Sequence, residues 1–147
     1  MISELLKESQ LREDGVLKNF FLLTNSFEGV KRDINAIERS YDFVILFGCD
    51  KFLKDCVRLE CFAEKDGVKC ETSLDVKLLS GTLTRDGVEN VISETPTQHL
   101  CNEAYWYALQ KFDGKAVFIH IPTLKNIDEN FISKMKELEL CHLGWYI

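Results

Sequence analysis

Apolar and polar residues alternate along the chain in blocks that predict strands separated by helices. One segment near the N-terminus holds a short apolar run typical of a buried strand. Another has no polar interruption after Asp42, as in a strand covered on both sheet faces. The predicted strands lie at residues 18–24, 41–48, 57–63, 88–93 and 115–121. Asp66-Gly67 predicts a hairpin turn whose second strand begins at residue 68, and Asp86-Gly87 predicts a second such turn.

Helical patterns fill most of the intervals between these strands. The predicted helices cover residues 3–13, 26–39, 97–111 and about 127–140. Ser26 is a suitable N-cap for the second helix, and Asn126 or Asp128 caps the last one. Residues 1–19 as a whole are expected to form polar helix or coil.

Strands that alternate with helices predict an α/β fold. The expected architecture is a three-layer sandwich, in which a mostly parallel mixed sheet carries helices on both faces. The 147 residues contain no internal repeat, low-complexity tract or Pro/Gly-rich linker. Residues 1–147 are therefore predicted to form a single domain.

Charge and hydropathy exclude two classes of partner. The net charge of −6 argues against nucleic-acid binding, which needs a basic face to neutralise phosphates. Apolar runs stay far below the roughly 18 residues of a membrane span. The N-terminus lacks a basic region followed by an apolar stretch, so a cytoplasmic location without a membrane partner is expected.

The six cysteines do not follow a disulfide or zinc pattern. Their even number is compatible with disulfides, but no secretory signal accompanies them. No Cys-x-x-Cys pair occurs and the three histidines are scattered, so no metal site is expected. Filling of the core is the default role for each cysteine, and a redox sensor is a further reading that the count alone supports only weakly.

Cys101 lies in the first turn of a predicted helix, a position that suits a nucleophilic cysteine. Unpaired backbone amides and the helix dipole favour an anion there, so they would stabilise a thiolate and the oxyanion of a tetrahedral intermediate. The competing interpretation is a core cysteine that falls at this position by chance. His120 lies near the end of an otherwise apolar strand, where catalytic groups of α/β sheets gather, and its alternative is a core histidine.

Glu60 is the third candidate. If Val57, Leu59 and Cys61 face one side of their strand, Glu60 faces the other side together with Arg58. One interpretation is a solvent-facing carboxylate paired with Arg58. The other is an acid that fixes the orientation of His120.

Four segments resemble a known family in the family's own order. They are the strand ending in Gly at residues 42–48, Arg-Leu-Glu-Cys-Phe-Ala at 58–63, Leu-Cys-Asn at 100–102 and Phe-Ile-His-Ile-Pro at 118–122. They are similar to segments of pyroglutamyl-peptidase I, the pyrrolidone-carboxyl peptidases, which are cysteine peptidases with a phosphorylase/hydrolase-like fold. The resemblance covers most of the chain from about residue 20 onward.

The resemblance implies a role for each candidate. Cys101 would be the nucleophile, His120 the base and Glu60 the residue that orients His120. The reaction would remove N-terminal pyroglutamate from a small peptide through an acyl-enzyme, with no metal or organic cofactor. Phe47, Cys49 and Leu100 are the candidates for substrate binding.

The departures from the family fall on substrate recognition. The family's Gly-Phe-x-Pro-Phe loop has no counterpart before residue 20, and Gly48-Cys49-Asp50 replaces its Gly-Gln-Ala loop. Asp50 cannot donate to a lactam when ionised, and it would add negative charge near a thiolate.

Three outcomes fit these departures. The first is a pyroglutamyl peptidase with a pocket rebuilt from His99, Phe47 or Phe52, and the second is a hydrolase for another small acyl group. The third is a catalytically silent homologue that serves as a binding or assembly module. In that case a homodimer or the N-terminal segment would cover an unpaired sheet edge. Trp145-Tyr146 could be a strand end, a packed tail or an interface.

Overall fold

A computed structural model of the chain describes residues 7–13 and 16–137. The elements in this part of the chain are β1 (Lys7–Glu13), β2 (Val16–Leu22), α1 (Phe27–Ala36), β3 (Val44–Asp50), β4 (Val57–Glu60), β5 (Phe62–Lys65), β6 (Val68–Glu71), α2 (Val76–Arg85), β7 (Asn90–Ser93), α3 (His99–Lys111), β8 (Ala116–Pro122) and α4 (Glu129–Glu137). A short 3-10 helix (Leu124–Asn126) precedes α4. None of the helices in these ranges combines the length and the apolar character needed to cross a bilayer.

The central sheet has four strands in the order β3-β8-β4-β7. The β3–β8 and β4–β7 pairs are parallel, whereas β4 runs antiparallel to β8. The sheet is therefore mixed and mostly parallel, as predicted. The parallel β3–β8 pair brings the carboxyl ends of these two strands to one edge of the sheet.

Alternate residues of β8 divide the core into two layers. Ala116 and Phe118 belong to a cluster built with α1 and α3, while Val117 and Ile119 belong to a cluster built with α2 and α4. All four side chains are at most 2% exposed. Helices thus cover both sheet faces, and the predicted three-layer α/β sandwich is confirmed.

Three local signals act as predicted. Ser26 Oγ accepts a hydrogen bond of 3.0 Å from the Gly29 amide at the start of α1. Asp128 Oδ1 accepts one of 2.7 Å from the Phe131 amide and so caps α4. Asp66 and Gly67 both have positive φ values, 52° and 76°, as a two-residue turn between β5 and β6 requires.

The N-terminal prediction was wrong. The helix expected at residues 3–13 is instead strand β1, which pairs antiparallel with β2 from Lys7↔Leu22 to Glu13↔Val16. The composition of this segment favours a helix, but ladder hydrogen bonds to a partner strand outweigh that local preference. Residues 1–6, 14–15 and 138–147 lie outside the described part, including Trp145-Tyr146 and the end of the last predicted helix.

The middle of the chain also differs from the prediction. Helix α2 was not predicted, and Asp86-Gly87 ends this helix instead of joining two strands. The single strand expected at residues 57–63 is interrupted at Cys61, which separates β4 from β5. This break lets β4 join the central sheet while β5 forms a separate hairpin with β6.

Candidate active site

The first two predicted site residues meet at the carboxyl ends of β3 and β8. Gly48 of β3 is the register partner of His120 of β8. Cys101 is the third residue of α3, and a Cβ atom added to Gly48 would lie 3.1 Å from its Sγ. Cys101 is close enough to the His120 ring to contribute to the raised pKa of the imidazole. The structure therefore brings together two residues that are 19 positions apart in the chain.

Glu60 completes the group from the neighbouring strand. Its register partner on β8 is Phe118, so the carboxylate reaches diagonally along the sheet face to His120. Glu60 Oε1 lies 2.8 Å from His120 Nδ1, and the two residues are 1% and 4% exposed. This contact leaves Nε2 as the ring nitrogen available to the Cys101 thiol. The Tyr105 hydroxyl donates a 2.8 Å hydrogen bond to the Glu60 backbone carbonyl and anchors this strand end.

The surroundings of His120 favour its protonated form. Burial would lower the pKa of the imidazole, but hydrogen bonds and charge interactions with Cys101 and Glu60 outweigh burial and raise the pKa to about 9. At neutral pH the ring therefore holds a proton, which it can give to a leaving group.

Arg58 and Asp50 extend the network toward solvent. Arg58 Nε donates to Glu60 Oε1 at 2.8 Å, and Arg58 Nη1 lies 2.9 Å from Asp50 Oδ2. Burial raises the pKa of Glu60, yet hydrogen bonds from His120 and Arg58 lower it overall. The same competition between burial and hydrogen bonding, here to the Phe52 amide and Arg58, lowers the pKa of Asp50. Glu60 pairs with Arg58, as one interpretation expected, but it is buried and does not face solvent, and it also contacts His120.

Gly48 and Phe118 set how closely the reactive groups approach. A Cβ atom at Gly48 would meet the Phe118 ring at 2.7 and 2.8 Å, so only glycine fits between this ring and the Cys101 sulfur. The Phe118 and His120 rings lie 4.8 Å apart between centroids at 41°. Phe118 thus forms an apolar wall beside the imidazole, a role that the sequence analysis did not assign to it.

This arrangement of strands and helices occurs in solved proteins. Pyrrolidone carboxyl peptidase from Fervidobacterium islandicum AW-1 matches with a TM-score of 0.65 at 19% identity, over 82% of this chain and 78% of that chain. The chain has a pyrrolidone-carboxyl-peptidase-like fold. The enzyme from Thermococcus litoralis matches with a TM-score of 0.57 at 19% identity, over 83% and 81% of the two chains. A mutant from Pyrococcus furiosus gives 0.60 at 16%, over 80% and 76%.

The similarity is visible in the fold and not at the level of whole sequences. No protein-family model matches the chain, and no curated protein sequence matches it. The arguments about chemistry therefore rest on the geometry of this chain's own residues within the peptidase-like fold.

The residues predicted for substrate binding are spread over two sheet faces. Phe47 packs against the cluster of α2 and α4, and Cys49 is exposed. Since Gly48 faces the Cys101 sulfur, strand alternation directs Phe47 and Cys49 to the opposite face. Neither is therefore retained as a wall of the site. Leu100 packs against the cluster on the Cys101 side and stays a candidate.

The start of α3 is fastened to the β5–β6 hairpin. Asn102 Oδ1 accepts a 3.0 Å hydrogen bond from the Glu64 amide, and Asn102 Nδ2 donates one of 2.7 Å to the Glu64 carbonyl. The side-chain amide thus acts as a short strand partner for β5, directly after Cys101. The sequence analysis missed this role, although Asn102 belongs to the Leu-Cys-Asn motif. In the described ranges no three His, Cys, Asp or Glu side chains group as metal ligands.

Proposed function

We propose that this chain is a cysteine exopeptidase of the pyroglutamyl-peptidase type, acting through Cys101, His120 and Glu60. The observation that carries the proposal is the buried 2.8 Å contact between Glu60 Oε1 and His120 Nδ1, at the sheet edge where Gly48, the register partner of His120, lies next to the Cys101 sulfur. A nucleophile, a base and a residue that orients the base are the parts that acyl transfer to cysteine requires.

In the proposed reaction the thiol proton resides on His120, so that Cys101 reacts as a thiolate beside the imidazolium. The Cys101 sulfur attacks the carbonyl carbon between pyroglutamate and the next residue, and the amides of the first turn of α3 are suited to stabilise the oxyanion. The carbon–nitrogen bond then breaks, and His120 passes its proton to the leaving amine. Water attacks the resulting thioester while His120 takes its proton, and the Cys101 thiol is restored as pyroglutamate leaves.

Glu60 contributes orientation and charge. Its carboxylate accepts from Nδ1, which fixes the ring so that Nε2 is directed at the sulfur. Its negative charge also stabilises the imidazolium that forms when the thiol is deprotonated. A carboxylate that is 1% exposed can do so with little screening by solvent.

A second candidate substrate class follows from the loop after β3. Cys49 stands where the resemblance implies an amide donor for a lactam ring, and the next residue, Asp50, is already paired with Arg58. Loss of a hydrogen-bond donor from a polar pocket lowers selectivity for the lactam ring more than it lowers the rate of acyl transfer. The same three residues would then hydrolyse amides of another small acyl group.

Hydrolysis of a pyroglutamyl-amide by the full chain tests the proposal. Release of the amine is expected for the wild-type protein and for Cys70→Ala, because Cys70 lies in β6, away from His120. Cys101→Ala is expected to be inactive. The absence of turnover by wild-type protein on the pyroglutamyl-amide, with turnover of N-acetyl or N-formyl amides, would favour the second substrate class. Activity that survives Cys101→Ala would refute both.

A further inference from the structure

We infer that Arg58 and Asp50 are positioning residues that hold the Glu60 carboxylate against His120. The inference deepens the proposed function, on which it rests for the use made of the three reactive residues. Arg58 stands directly opposite His120 in the β4–β8 register. From there its Nε donates to Oε1 of Glu60, the same oxygen that contacts His120 Nδ1.

Glu60 is held through one oxygen only. Its other oxygen, Oε2, is buried and has no hydrogen-bond partner among residues 7–13 and 16–137. Rotation of the carboxylate is therefore restrained by just two donors, Arg58 Nε and His120 Nδ1. If Arg58 were absent, the carboxylate would keep only its bond to the ring that it is meant to orient.

Asp50 fixes Arg58 from strand β3. Its Oδ2 lies 2.9 Å from Arg58 Nη1, and its Oδ1 accepts a 2.8 Å hydrogen bond from the Phe52 amide. The loop after β3 thus orients Asp50, which in turn orients the guanidinium. The side chains of Asp50, Arg58 and Glu60 are 15%, 26% and 1% exposed, so two partly exposed side chains hold a buried carboxylate.

The pair also balances charge around the ring. The charged and titratable groups that face His120 are Cys101 from α3, Glu60 and Arg58 from β4, and Asp50 from β3. Arg58 disfavours an imidazolium and Asp50 favours one, so the pair as a whole is close to neutral toward His120. The negative charge that Asp50 would bring near a thiolate is compensated in this way.

Nuclear magnetic resonance titration of the His120 ring in the full-length chain tests this inference without relying on turnover. The variants are Asp50→Asn, Arg58→Gln, their combination and Arg58→Lys, and the His120→Gln spectrum assigns the signal. Arg85→Gln is the matched control, since the Arg85 side chain is 67% exposed and pairs with Asp86 at the end of α2.

Opposite effects of the two single variants are expected. Asp50→Asn should lower the His120 midpoint and Arg58→Gln should raise it, each by about half a pH unit or more, and the double variant should return close to wild type. Arg58→Lys keeps the positive charge but cannot contact Glu60 and Asp50 at the same time as the guanidinium does. It should therefore leave the His120 midpoint unchanged and slow alkylation of Cys101 several-fold.

Cys101 alkylation at the wild-type rate in Arg58→Lys would overturn the inference, because that variant keeps the charge and removes only the geometry of the guanidinium. Shifts in the same direction, or none, in the two single variants would overturn the charge balance. Should Arg58→Gln fail to fold, Asp50→Asn and Arg58→Lys still decide the matter. Opposite shifts without any turnover would refute the proposed function and leave the positioning network standing. Turnover of substrate, together with a His120 midpoint that none of the variants shifts and wild-type alkylation of Cys101 in Arg58→Lys, would overturn the positioning network and leave the proposed function standing.

Discussion

His120 Nδ1 lies 2.8 Å from Glu60 Oε1, although 60 residues separate the two in the chain and both are buried. The antiparallel pairing of β4 with β8 creates this contact, because it places Glu60 two residues along the same sheet face from His120. The relationship links the mixed topology of the sheet to the chemistry proposed for its edge.

Glu60→Gln should change the pH dependence of hydrolysis. Because Glu60 helps to raise the pKa of His120 to about 9, activity of the wild-type enzyme should fall above about pH 9 as the imidazolium is lost. The amide removes the negative charge, so this alkaline limb should move to lower pH, and kcat/KM should fall at least about tenfold. The measurement is kcat/KM against pH, with Glu71→Gln of the exposed Lys69–Glu71 pair as control.

Acid should destabilise the fold partly through Glu60. Its pKa in the folded chain lies below the usual value of a glutamate, so its carboxylate stabilises the fold at neutral pH. That stabilisation is present above the unfolded pKa and is lost as the pH falls through the folded pKa. Urea unfolding from pH 6 downward should therefore show a smaller acid-dependent loss of free energy for Glu60→Gln than for wild type. An equal loss in both proteins would contradict the pairing.

Gly48→Ala should displace the reactive groups. The added Cβ would lie 2.7 Å from the Phe118 ring and 3.1 Å from the Cys101 sulfur, so one of them must move. We expect a loss of about 1–3 kcal/mol in unfolding free energy and slower alkylation of Cys101. Gly81→Ala is the matched control, because its Cβ would meet nothing within 4 Å in the middle of α2. That substitution should stabilise the protein slightly, and a similar effect of both would refute the close packing.

Asn102→Ala should loosen the start of α3 from the β5–β6 hairpin. Two hydrogen bonds to the Glu64 backbone are lost, which should cost about 1–2 kcal/mol of unfolding free energy. Amide hydrogen exchange at Glu64 should become faster, whereas Gln110→Ala, farther along the same helix, should leave it unchanged. Unaltered exchange at Glu64 in Asn102→Ala would show that the hairpin is held by other contacts.

Local signals explain why much of the fold follows from the sequence. The signals that were recognised act on residues close by in the sequence: Ser26 and Asp128 cap helices, and Asp66-Gly67 forms a turn. Each could be recognised without knowing which distant elements pack together. Cys101 and His120 could likewise be placed at a helix start and a strand end, and parallel strands then bring such ends together.

The elements that were missed depend on distant partners. Helix α2 contains Ser80, Gly81 and Thr82, which are weak helix formers, and it is stabilised by Val76 and Leu83 buried in the core. Strand β1 has a helix-like composition and depends on β2 as its ladder partner. The pairing of Glu60 with Arg58 could be expected from their spacing on one strand, but the contact of Arg58 with Asp50 could not, because it joins side chains of two strands.

His120 is expected to make Cys101 the reactive thiol of the chain. Mass-spectrometric mapping of iodoacetamide labelling over time at neutral pH tests this expectation, because accessibility alone favours a different residue. Cys49 is exposed, whereas Cys101 is partly buried. We expect Cys101 to be alkylated at least about tenfold faster than Cys49, and His120→Gln to remove this advantage. Labelling that follows exposure, with Cys49 first and Cys101 unaffected by His120→Gln, would contradict the role of His120.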